Sequence, residues 1–163
     1  MKFAADCMLG TLAKWLILLG HDVAYSARIE DHELVRLARR EGRTILTRDR
    51  RLVLRRDASD HILIESQVLR EQIRQVLVER RLRIRKDTLF RRCIKCNRRT
   101  RSVSKSSVRA EVPPYVYRTQ RRFARCPGCG QVFWRATHVS RMLLDLRERL
   151  GRPVGLTTRR PAG

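Results

Sequence analysis

The chain has 163 residues, is 42% hydrophobic, and carries a net charge of +22 from 38 basic and 16 acidic side chains. That length suits one domain of ordinary size, or a small domain with a compact metal-stabilised companion, and the charge calls for a polyanionic partner, of which nucleic acid is the simplest. Asp6 and Lys14 interrupt the apolar opening "MKFAADCMLGTLAKWLILLG", no small-residue cleavage site follows, and no run reaches the ~18 apolar residues of a membrane span, so a cytoplasmic protein is expected rather than a secreted or membrane one.

Elements alternate along the first half. "KFAA" is predicted as a strand, and "MLGTLAKWLILLG" places Met8, Leu12, Trp15, Leu16 and Leu19 at helical spacing before Gly20. A short strand "VAYS", a helix "DHELVRLARREG" with Leu34, Leu37 and Ala38 on one face, and the strand "TILT" follow. A further strand "ILIE" precedes a helix over about residues 67–82. Alternation with short loops predicts a parallel sheet covered by helices, an α/β fold. In the second half, "SVSKSSVRAEV" and "YVYRTQRRFARC" are expected as short strands with Pro113 and Pro114 marking a turn, then a helix over about 140–150 and a disordered basic tail over 151–163. Charge divides the chain at the same place. Residues 1–90 hold 19 basic and 13 acidic side chains, and the remainder 19 basic and 3 acidic, which marks a boundary near residue 90.

Within a parallel α/β sheet, functional groups gather beyond the carboxyl ends of the strands. Asp6 ends the first strand, Asp49 lies just past "TILT", and Asp31 opens a helix whose N-terminus faces the same edge. Three carboxylates converging there repel one another unless divalent cations hold them, and Mg²⁺ or Mn²⁺ suits an all-oxygen set. Such a cation beside a phosphodiester generates a hydroxide nucleophile and stabilises developing charge, and Arg48, Arg50 and Arg51 are placed to hold the nucleic-acid backbone. Each aspartate also has a plain structural reading, Asp6 and Asp49 as turn residues and Asp31 as a helix N-cap. Glu30 and Glu65 fit solvated surface acids better than ligands.

Cys93 and Cys96, then, after a gap of 29 residues, Cys126 and Cys129 form two C-x2-C pairs. Each pair can supply two thiolates to one tetrahedral zinc ion, and four protein ligands leave no open position, so the zinc is expected to be structural and to contribute folding energy. Cys7 stands apart and reads as a small buried residue. His138 is superfluous as a ligand and is expected to pack or hydrogen-bond. Around the cysteines, Arg98, Arg99, Arg121 and Arg122 interleave with Tyr115, Tyr117, Phe123, Phe133 and Trp134, a mixture able to grip phosphates and stack on unpaired bases, although several of these aromatics are needed for the small core.

The segment "DHELVRLARREGRTILTRD" resembles the D-x6-A, Gly, hydrophobic strand, T-x-D pattern of PIN-domain ribonucleases. More closely, "MLGTLAKWLILLGHDV", "EGRTILTRDRRL", the two C-x-x-C pairs with "PPYVY" between them, and "THVSRM" resemble the Mut-seven C-terminal RNase domain family, a PIN-like domain followed by a zinc ribbon. The likeness covers about residues 2–143. It implies a PIN-like nuclease domain over 1–90, a small β-rich zinc ribbon with its C-terminal helix over 91–150, and metal-dependent cleavage of RNA at Asp6, Asp31 and Asp49. After the T-x-D aspartate this chain has "RRL" where PIN domains often place a fourth acid, leaving Asp57 or Glu65 as replacements. The main alternative is a non-catalytic RNA-binding protein, ribosome-associated for instance. A DNA-binding zinc-ribbon regulator fits the charge but leaves the carboxylates unexplained.

Overall fold

A computed structural model describes residues 1–85 and 87–134. The helix expected over 140–150, His138 and the basic tail lie outside the described residues. The first half forms β1 (Lys2–Ala5), α1 (Gly10–Leu18), β2 (Asp22–Tyr25), α2 (Asp31–Glu41), β3 (Thr44–Thr47), α3 (Arg50–Val53), β4 (His61–Leu63) and α4 (Leu69–Glu79). Its four strands are all parallel, in the order β2-β1-β3-β4.

Alternation along the strands sends side chains to two cores. Phe3, Ala5 and Leu46 pack with Leu12, Leu16, Ile73 and Leu77 beneath α1 and α4. Ala4 and Ile45 face the other way, against Leu34, Val35, Ala38 and Leu52 of α2 and α3. Both faces of the sheet are therefore covered, and all four residues of β3 are buried.

Two boundaries have clear local causes. Glu30, rather than Asp31, is the N-cap of α2, and its side chain and that of Glu33 form a reciprocal capping box; Gly42 ends the helix in the left-handed conformation. At the end of α1, Gly20 has φ +95°, and a Cβ there would lie 2.5 Å from the Thr88 carbonyl oxygen. Only glycine fits where the chain leading out of the sheet crosses the helix end, and Phe90 N–H donates to the Leu18 carbonyl at 2.9 Å in the same place.

In the second half, β5 (Arg101–Val103), β6 (Phe123–Arg125) and β7 (Val132–Trp134) form an antiparallel sheet in that order. The strand expected over "YVYRTQRRFARC" is corrected. Its first part is α5 (Pro114–Thr119), because Pro114 at the first turn of a helix has no N–H to lose and its φ already fits. Likewise "SVSKSSVRAEV" turns after Val103 into a short 3-10 segment at Ser106–Val108, where Ser104 and Ser107 bond locally instead of pairing with a strand. Val108, Val112, Phe123 and Val132 make its small core.

Candidate active site and metal centre

The order β2-β1-β3-β4 fixes where a crevice can open. The chain leaves β1 towards α1 on one face and β3 towards α3 on the other, so the connections diverge between the carboxyl ends of β1 and β3, the point at which doubly wound sheets bind ligands. Asp6 and Asp49 flank that point. Asp31 begins α2, which follows β2 and starts from the same edge. The Asp31 charge reaches both Cys7, next to Asp6, and Arg55, beyond α3.

Asp6 is 5% exposed. Its Oδ1 accepts from Met8 N–H at 2.8 Å, capping the 3-10 turn that leads into α1, and its Oδ2 accepts from the Thr47 hydroxyl at 2.7 Å. The same hydroxyl oxygen accepts from Asp49 N–H at 2.9 Å, while Asp49 Oδ1 accepts from Arg51 N–H at 2.7 Å and caps α3. Thr47 thus ties together the backbone of one aspartate and the carboxylate of the other. The structural readings of Asp6 and Asp49 as turn formers hold without displacing the chemical one, since a carboxylate oxygen that accepts one hydrogen bond retains a lone pair for a cation. The residue missed in the sequence is Thr47, whose place two before Asp49 was its only signal.

Ion pairing separates these aspartates from the others. Asp22, Asp57, Asp60 and Asp87 each pair with arginine. Among the described residues, Asp6, Asp31 and Asp49 enter no ion pair with any Lys, Arg or His, although Arg48, Arg50 and Arg51 flank one of them and Arg50 and Arg51 are exposed beside it. Asp57 is engaged by both the Nε and Nη2 of Arg55, and that pair holds its carboxyl below the usual range. Glu65 is exposed just past β4, at the same sheet edge. The "RRL" segment is α3 itself, with Leu52 in the core. Cys7 is exposed, not buried as expected, and its hydrogen bond with Asp6 pushes the thiol up.

The cysteines form a separate centre. Among the described residues, Cys93, Cys96, Cys126 and Cys129 are the one group of three or more His, Cys, Asp or Glu whose ligand atoms all lie within 4.8 Å of one another; the three edge aspartates do not close to that spacing. Sγ of Cys93 and Cys129 are 3.5 Å apart and those of Cys96 and Cys126 3.3 Å, near the ~3.8 Å edge that a tetrahedron with ~2.3 Å zinc–sulfur bonds requires. Burial opposes ionisation of Cys126, yet the N–H groups of Cys129 and Gly128 pull its thiol down to about 6. Softness, number and spacing of these donors all fit a zinc ion, which the four cysteines can hold. The aliphatic stem of Arg98 lies over Gly128, where a Cβ would come within 2.6 Å of Arg98 Cδ, so this arginine joins the two knuckles. Arg99, Arg121 and Arg122 are exposed.

The first knuckle also grips the parallel sheet. Asp22, at the amino end of β2, receives Arg43 Nη1 at 2.7 Å, Asn97 Nδ2 at 2.9 Å and Arg92 Nη2 at 3.1 Å. Asn97 reaches it from a left-handed φ of 60° directly after Cys96. Burial opposes the Asp22 charge, but these donors hold its carboxyl below the ordinary value of 3.8.

No helix among the described residues is long and apolar enough to cross a membrane. The family described as the Mut7-C RNAse domain matches residues 1–145 of the 163, most of the chain, and the chain belongs to that family. No curated protein and no solved structure matches it.

Proposed function

We propose that this member of the Mut7-C RNAse domain family hydrolyses RNA phosphodiester bonds at a Mg²⁺ or Mn²⁺ centre held by Asp6, Asp31 and Asp49, while the basic zinc ribbon and the arginines of the sheet edge hold the substrate. One observation carries the reading: in a chain of net charge +22, the aspartates at the β1/β3 crevice enter no ion pair among the described residues, unlike Asp22, Asp57, Asp60 and Asp87, and Asp6 is buried. Buried carboxylates are ordinarily paired with a cation or bound to a metal. With no arginine among the described residues supplying one, the donor set suits a hard divalent metal.

When bound, such a metal lowers the pKa of a coordinated water and offsets the charge that builds on the scissile phosphate. The residues of the chain do the rest. Thr47 fixes the Asp6 carboxylate and the Asp49 backbone in one frame, and the Arg51 N–H holds the Asp49 carboxylate, so both side chains are oriented before substrate arrives. Arg48, Arg50 and Arg51 follow directly on that frame and are placed to hold phosphates on either side of the cut, where a planar guanidinium can bond two phosphate oxygens at once. Arg98, Arg99, Arg121 and Arg122 extend the phosphate contacts onto the ribbon.

The test is cleavage of end-labelled single-stranded RNA, duplex RNA and single-stranded DNA by zinc-loaded protein with Mg²⁺ or Mn²⁺, beside an Asp6→Asn, Asp49→Asn double variant. Cleavage of RNA that EDTA stops and the folded variant lacks is the expected result. Equal inactivity of both proteins, with RNA binding retained, replaces the reading with that of a non-catalytic RNA-binding protein.

A further inference from the structure

Among the described residues β2 is an edge strand, and no other strand of them closes the side of it that faces away from β1. A groove of about 780 Å³ runs along it, walled by α1, by α2 and by the first zinc knuckle, and its volume is that of a site for a sizeable organic ligand. The floor and walls are apolar, with Ile29 and Ile94 among them and Ile94 40% exposed. Two charged side chains line it, Lys14 on α1 and Lys95 within the knuckle, both basic and both exposed. At the far end Tyr25 is held across Gly10, with its hydroxyl donating to the Cys7 carbonyl at 3.2 Å, one residue from Asp6. A second, smaller cleft of about 310 Å³ shares Ser26, Ile29 and Leu37 with the first and adds Arg28, Arg36 and Arg40 against one acid, Glu33. The combined channel therefore runs from the first cysteine knuckle past β2 and along α2 between Glu33 and Arg40, with cations along its length.

We infer that this channel is the seat of a single-stranded stretch of RNA flanking the cleavage point, with bases against Ile29, Ile94 and Tyr25 and phosphates on Lys14, Lys95 and the α2 arginines. The inference rests on the RNA-cleaving reading above and adds to it a path and a strandedness. Charge complementarity selects the occupant. An apolar floor with cations on the rims matches a strand whose flat bases and anionic backbone lie on different sides, which is how single strands are held elsewhere. A duplex keeps its bases stacked inside and gains nothing from an apolar floor. An extended acidic peptide adding to the free edge of β2 is the competing occupant, and four residues of edge give it few backbone bonds.

Fluorescence anisotropy of a labelled 12-nucleotide RNA and of its duplex, with the full-length zinc-loaded protein, tests this. The groove variant is Lys14→Glu, Lys95→Glu, and the control with the same change in net charge is Arg74→Glu, Arg83→Glu, at exposed positions outside the channel. Zinc content and melting temperature verify that both variants fold. The expected result is a loss of single-strand affinity of roughly tenfold or more in the groove variant at ~0.1 M salt, at least threefold beyond the control, since each lost phosphate contact carries its own counterion release. Thiouridine-substituted RNA is expected to crosslink within residues 24–29 and 94–97. Equal losses in the two variants with crosslinks elsewhere overturn the channel while leaving RNA binding intact. Failure of the wild type to bind any RNA overturns both, and binding of an acidic decapeptide in its place, lost in the groove variant, assigns the channel to a protein partner.

Discussion

A single hydroxyl joins the two strand-end aspartates. Thr47 is completely buried, donates to Asp6 Oδ2 and accepts from Asp49 N–H, so it acts as a positioning residue for both. Thr47→Val keeps the volume and removes the hydroxyl, leaving a buried carboxylate oxygen without its donor. The expected cost is about 1–3 kcal/mol in urea unfolding, with RNA cleavage falling in the folded protein and Thr47→Ser restoring most of both. Full activity in the valine variant contradicts that role. The aspartates themselves were legible as sequence because each stands at a strand end or helix start. The role of Thr47 was not, since its bond to Asp6 spans 41 residues and exists only when β1 and β3 lie side by side.

Elements rather than residues carry the coupling between sheet and ribbon. The turn between α1 and β2 holds His21, whose ring meets Phe3 edge-on at 5.7 Å beside the Asp22 clasp. Burial, aided by the charges of the N-terminal amine and of Arg92, lowers His21 from 6.5 to about 4. Its folded-state value lies below the unfolded one, so the unfolded chain takes up the proton first. Stability is therefore expected to fall as pH drops from 6.5 towards 4, by on the order of 3 kcal/mol at most, and His21→Gln is expected to flatten that part of the urea-unfolding profile. An unchanged profile in the variant refutes the assignment. Asp22 acts at lower pH. Its depressed carboxyl contributes stability that is complete above 3.8 and lost below it, outside the His21 window. Metal removal acts through the same clasp, because the knuckle presents Asn97 and Arg92 to Asp22. Chelation is expected to melt the β5–β7 sheet and give a second thermal transition below that of the parallel sheet, reversed by added zinc. A melting curve indifferent to chelator argues against a structural ion.

At the scale of the whole molecule, what the sequence disclosed followed from periodicity and spacing. The α/β alternation and the paired C-x2-C frame are local signals, and both appear in the structure. The strand order β2-β1-β3-β4 is not local, and it is this order that makes the β1/β3 edge a crevice. The ribbon was legible in its ligands and misleading in its strands. β-branched and aromatic residues around Tyr115 suggested extended chain, yet Pro114 opened a helix, and a domain with so small a core is shaped more by its cysteine cluster and turns than by side-chain alternation. The channel along β2 was invisible because α1, α2 and the knuckle that wall it are distant in sequence.

On the proposed reading, the edge aspartates that enter no ion pair among the described residues, and not the arginine-paired ones, hold a divalent metal. Mn²⁺ binding followed by electron paramagnetic resonance tests it without substrate, comparing zinc-loaded wild type with Asp6→Asn, Asp31→Asn, Asp49→Asn and, as the paired control, Asp57→Asn. Each edge variant is expected to weaken Mn²⁺ binding by roughly tenfold or more while Asp57→Asn matches the wild type, since loss of a charged oxygen ligand removes both a bond and a charge from the site. Mn²⁺ binding that is equal in all five proteins, or lost only with Asp57, would contradict it.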